Sequence, residues 1–184
     1  MLTVPWTPAL SQEAPGDNIV LEATDQELEN KIDLLLQSRL NLNTTRRALP
    51  TKSGDQDSVI GVIFNANDSV NTPRIVTMLN AKTVRTKDSG EPLLQVIGIL
   101  SIADLNMALP KGDALTTFIN EWNQQISPVR LYSAEDRLIA ANNLYVPDGD
   151  GLTADYFLTA FNDTTRAWPL IIKRMKDQGL LGPK

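Results

Sequence analysis

Between residues 40 and 102 the chain runs through four stretches of strand-forming composition separated by short polar connections. The first, LNLNTTRRAL (40–49), is the weakest and stops at Pro50. SVIGVIFNA (58–66) is β-branched and aromatic, RIVTMLNAKTVRT (74–86) is long and alternates in part, and LLQVIGILSI (93–102) places apolar residues on both faces. The connections TKSGDQD, NDSVNTP and KDSGEP carry the Gly, Asp, Asn and Pro that turns require. Strands joined this tightly leave no room for a crossover helix, so they predict an antiparallel meander. The run at 93–102 is expected at the sheet centre with both of its faces covered.

Helical signals surround this block. TDQE sets Thr24 and Glu27 at capping-box spacing, and Leu28, Ile32, Leu35 and Leu36 fall on one face of a helix expected to end near Arg39. Asp113 is a candidate cap for a second helix, in which Leu115, Phe118, Ile119, Trp122 and Ile126 form one apolar stripe. Trp122 is therefore expected to pack this helix on the sheet. Asn123 beside it can reach the exposed helix carbonyls or the hairpin that follows. Ser127–Pro128 should end the helix, because proline disfavours helical backbone in the residue before it.

VRLYS (129–133), a turn at AED, and RLIAANNLYV (137–146) read as a hairpin. Thr153 then caps a last helix with Phe157, Ala160, Phe161, Thr164, Trp168, Ile171, Ile172 and Met175 on its apolar side. Pro169 is expected to kink or split it, and Gly179 to stop it. The order is α-β-β-β-β-α-β-β-α. It predicts an α+β fold, a two-layer sandwich with helices on a mostly antiparallel sheet. Residues 1–18, with Pro5, Pro8, Pro15 and an isolated Trp6, read as a disordered or loosely docked arm, and 19–184 as one domain.

Composition narrows the chemistry. There is no cysteine and no histidine, which excludes disulfides, zinc sites built from Cys or His, and nucleophiles that need a thiolate or an imidazole base. The net charge is −5 and no basic block is longer than the pair Arg46–Arg47, so neither nucleic acid nor an anionic bilayer is an expected partner. Apolar runs are too short for membrane insertion, and residues 1–18 lack the basic and apolar regions of a signal peptide. A cytoplasmic location is the expectation.

Candidate sites fare poorly on spacing. Asp148 and Asp150 in PDGDG could share a cation, but the twelfth position of a calcium loop counted from either is Thr159 or Phe161 instead of glutamate. Glu121, Glu135, Asp136, Asp148, Asp150 and Asp155 are the acids available for paired-carboxylate hydrolysis, and solvated faces and turns explain them better. No phosphate-cradling glycine motif occurs. The sequons at Asn43, Asn67 and Asn162 match chance for a chain rich in Asn and Thr.

NEWN (120–123), VRLYS, the apolar returning strand, DGDG and the GLT-capped helix together resemble the C-terminal half of the YbjN-type domain, a bacterial family labelled as sensory-transduction regulators. The recognisable motifs lie within about residues 110–160 of a likeness covering roughly 24–176. The resemblance implies a fold like that of class I type III secretion chaperones, a small α/β sandwich that is often dimeric. It carries over no catalytic residue. Pro169, the long strand at 74–86 and the N-terminal arm depart from it.

These readings converge on a non-enzymatic interaction module, chaperone-like or regulatory, that forms a homodimer and binds a partner polypeptide without metal or cofactor. No side chain is assigned to catalysis, to cofactor or metal binding, or to the partner contact. Two alternatives stand beside it: a carboxylate-based or metal-assisted hydrolase using Asp148 and Asp150, and an extracytoplasmic binding domain.

Overall fold

A computed structural model describes residues 18–20, 22, 24–49, 57–67, 72–105, 109–110, 112–125, 127–134, 136–147, 149 and 151–181. The elements are α1 (Asp25–Leu40), β1 (Thr44–Leu49), β2 (Asp57–Phe64), β3 (Ile75–Arg85), β4 (Pro92–Ala103), α2 (Asp113–Asn123), β5 (Arg130–Ala134), β6 (Arg137–Pro147) and α3 (Ala154–Asp177). Their order is the one the sequence predicts. The six strands form one antiparallel sheet in the order β1-β2-β3-β4-β6-β5. Residues 1–17, including Trp6, lie outside the described residues, as do Ile126, Glu135, Asp148 and Asp150.

All three helices pack on one face of this sheet. In β3 the buried residues are Ile75, Thr77, Leu79 and Ala81, and in β4 they are Gln95, Ile97, Ile99, Ser101 and Ala103. Side chains alternate across a strand, so these odd positions all point to the helix layer. One core cluster joins Leu79, Ala81, Ile97 and Ile99 to Leu28, Ile32, Leu35 and Leu36 of α1 and to Phe157 and Phe161 of α3. A second joins Phe118 and Trp122 of α2 to Leu131, Leu138 and Ala140 of the hairpin and to Trp168, Ile171 and Met175 of α3. Several of the polar groups that this layer buries are paired with one another, whereas Asn142 Nδ2 has no hydrogen-bond partner among the described residues. The Trp168 indole donates to Ser101 Oγ at 2.9 Å, and Thr77 Oγ1 donates to the same oxygen at 3.2 Å. Gln95, fully buried, donates to Thr83 Oγ1 and accepts from the Glu22 backbone N–H.

The helix ends follow their local chemistry. The Thr24–Glu27 capping box is formed, and Asn41 closes α1 in the left-handed conformation. At the end of α3, Gly179 has a φ of 69°, and Leu180 N–H and Gly179 N–H donate to the Met175 and Lys176 carbonyls in a Schellman arrangement. Gly151 is required for a second reason. Ile19 and Leu152 exchange backbone hydrogen bonds of 2.7 Å, and a Cβ on Gly151 would lie 2.2 Å from the Ile19 carbonyl oxygen.

Several expectations need correction. The first strand begins at Thr44, because α1 runs to Leu40 and the chain must turn at Asn41 before it can pair. Asp113 is the first helical residue of α2 and does not cap it. The cap position is Gly112, which has no side chain to offer, and the Asp113 carboxylate instead faces the positive end of the helix. The α2 helix stops at Asn123, before Ser127–Pro128, as Asn123 turns its amide onto β5. Pro169 does not split α3, which continues from Ala154 to Asp177. The proline is exposed, while Trp168, Ile171 and Ile172 on either side of it are buried and hold both halves to the same sheet.

Glu29 was not singled out by its sequence position, yet it is buried in α1. Its carboxylate accepts from Ser58 Oγ and, at 3.2 Å, from the Ala81 backbone N–H. The pairing of β2 with β3 stops at Ile60 and Leu79, so Glu29 takes the place of a strand partner just beyond that point. Glu29→Ala should lower unfolding stability by about 1–3 kcal/mol, the cost of an unpaired buried donor, whereas Glu29→Gln should cost less. Urea denaturation of the two variants checks this.

Candidate partner-binding face

Trp122 and Asn123 close α2 onto the hairpin. The indole, 5% exposed, donates to the Val129 carbonyl at 3.0 Å, stacks near Phe118, and has the Arg174 guanidinium 5.3 Å from its ring centre. Asn123 Nδ2 donates to the Leu131 carbonyl at 2.9 Å, and the Leu131 N–H donates to Asn123 Oδ1 at 2.8 Å. Leu131 lies on β5, the outermost strand, so one carboxamide satisfies the donor and the acceptor that Leu131 would otherwise present at this edge. Both residues therefore serve the architecture, as their positions suggested.

Of the predicted acids, Glu121, Asp136 and Asp155 are among the described residues, and they sit apart on different elements. Glu121 accepts a hydrogen bond from Gln178 on the surface, Asp155 is exposed at the start of α3, and Asp136 sits in the hairpin turn with a φ of 59°. Among the described residues, no three acids converge to hold a metal ion.

What the sequence missed is on the other side of the sheet. The run 93–102 is central, between β3 and β6, but only one of its faces is buried. Leu94, Val96, Leu100 and Ile102 point away from the helices and stay half-exposed. The expectation that both faces are covered fails because each helix lies on the odd-numbered side.

Register extends this bare face across the sheet. Ile63 pairs with Val76, Val76 with Ile102, Ile102 with Ile139, and Ile139 with Tyr132, an apolar ladder crossing five strands. The next ladder is Gly61, Met78, Leu100 and Ala141. Farther along, Val96 pairs with Tyr145 and Val84 with Leu94. Ile63 is 48% exposed, Tyr132 51% and Tyr145 60%. With strands about 4.8 Å apart and about 3.3 Å per residue along them, the face spans roughly 19 by 27 Å. The row of Asn80, Gly98 and Asn143 divides it, so its continuous apolar part is the two ladders beginning at Ile63 and Gly61. Exposed apolar patches of this kind mark interaction sites.

At one end the face dips into an open cleft of about 370 Å³. Val76, Met78, Ile102, Leu105 and Leu109 supply its apolar lining, and Arg74, Arg137, Asp104 and Asp136 its polar rim. Searches for a related protein return no matching family model, curated protein or solved structure.

Adjacent residues of β4 give a direct check of which face is bare. Ile99→Asp should abolish folding or cost more than about 4 kcal/mol, because it buries an unpaired charge. Leu100→Asp should cost no more than about 1.5 kcal/mol, since its carboxylate reaches water. Circular dichroism with urea titration distinguishes these outcomes.

Proposed function

We propose that this chain is a non-catalytic interaction module, regulatory or chaperone-like, that presents the bare sheet face to a partner polypeptide. The observation that carries the proposal is the apolar ladder from Ile63 to Tyr132, which is half-exposed or exposed along its length. Burying such a face removes apolar surface from water at about 25 cal/mol per Å² before the costs of association. A two-layer sandwich acquires its missing third layer in this way from another chain.

The resemblance to YbjN-type domains, whose recognisable motifs lie within about residues 110–160, supports the same reading, since that family implies polypeptide contacts and no catalytic set. The rigid hairpin beneath the ladder supports it as well. Trp122 and Asn123 hold β5 in place without contributing to the bare face, so the face is formed before any partner arrives.

Tagged wild-type protein and a Leu100→Asp variant, each passed over lysate of the source cell, test this. Wild type should retain one or more polypeptides in stoichiometric amount, and the variant, folded to the same extent, should retain them at least about tenfold less. Equal retention by both proteins would remove the face from the argument.

A further inference from the structure

The bare face differs in charge from the chain that carries it. The whole sequence has a net charge of −5. Yet the strand positions that point away from the helices include Arg47, Lys82, Arg130 and Arg137, and Arg74 stands just before β3 on the same side. The carboxylates lining the cleft are Asp104 and Asp136, and the register places Asp57 of the outer strand pair on this side as well. Arg130 is engaged with the Asn123 carbonyl at the end of α2. Among the described residues, neither the Arg74 nor the Arg137 guanidinium makes a hydrogen bond or an ion pair. The two flank an apolar cleft with donor capacity unspent.

We infer that the occupant of this face is an acidic, apolar polypeptide segment, with apolar side chains on Met78, Leu100 and Ile102 and carboxylates paired to Arg74 and Arg137. This rests on the interaction-module reading and adds the chemistry of the partner. Guanidinium groups meet carboxylates in a two-bonded, planar geometry, and they are stronger partners at the mouth of an apolar cleft than on an open surface. A cleft of about 370 Å³ takes a few side chains, which suits the anchor of a longer segment. A second copy of this chain fits less well. A two-fold pairing of the face with itself sets cations against cations, and pairing it with another surface of the copy gives an interface that does not close.

The test uses the full chain and three dye-labelled synthetic peptides in fluorescence anisotropy: Glu alternating with Leu, Lys alternating with Leu, and Glu alternating with Ser. Wild type should bind the Glu/Leu peptide at least about tenfold more tightly than either of the others, and less tightly as salt rises. Arg74→Glu/Arg137→Glu, exposed substitutions that should leave the urea midpoint in place, should lose about tenfold for Glu/Leu and gain for Lys/Leu.

Unchanged Glu/Leu binding by the charge-reversed protein, or Lys/Leu binding as tight as Glu/Leu in wild type, would overturn the inference. If Leu100→Asp still abolished capture from lysate in that case, the interaction reading would survive and only the acidic partner would fall. A dimer in sedimentation velocity that Leu100→Asp dissolves and charge reversal does not would assign the face to a second copy, which also overturns the proposal.

Discussion

A β-strand has two faces, and three helices laid side by side can cover only one face of a six-stranded sheet. In β4 that limit is visible residue by residue. Ile97, Ile99 and Ala103 lie beneath α1, α2 and α3, while Val96, Leu100 and Ile102 between them do not. Because β3, β4 and β6 are in antiparallel register, the division in one strand propagates to the others, and a single choice of side determines which of their apolar residues remain near water.

The helix layer is held by more than apolar packing. Trp168, Ser101 and Thr77 form a buried polar chain from α3 through β4 to β3, and Glu29 ties α1 to the point where β2 leaves β3. Groups of this kind are costly when misplaced, so they select one seating of each helix over sliding alternatives. Gln95 does the same at the other end of the sheet, where it receives the Glu22 N–H and anchors the entry into α1. The bare face gains from this rigidity. Its ladders keep their spacing because the layer behind them cannot shift.

Much of this was legible in the residues. The Thr24–Glu27 box, the stripe through Trp122, the Asn123 amide and the Thr153 cap each have local signatures, and together they support the element order. The bare face was not legible, for a simple reason. Leu94, Val96, Leu100 and Ile102 are as apolar as Ile97, Ile99 and Ala103, and a run that is apolar on both sides reads as covered on both sides. Glu29 was illegible for the opposite reason, since a carboxylate on a helix is ordinarily assigned to solvent, and only the register of β2 against β3 shows the amide waiting for it. Pro169 misled because its local rule is strong, while the burial of Trp168 and Ile171 beside it is a tertiary effect. Asp148 and Asp150, weighed as a cation pair, fall outside the described residues.

The carboxamide of Asn123 carries a consequence for solubility. Sheets tend to stack sideways into fibres through their outer strands, and this one has two rims. On the Leu131 rim a residue of the same chain already occupies the backbone donor and acceptor of Leu131, so an added strand finds that position taken. The opposite rim carries Arg47, whose charge would meet its own kind in an identical strand laid against it, while Arg46 beside it is paired with Asp33 of α1. A protein that must keep a greasy plane accessible can tolerate it when neither border of that plane lets copies zip together.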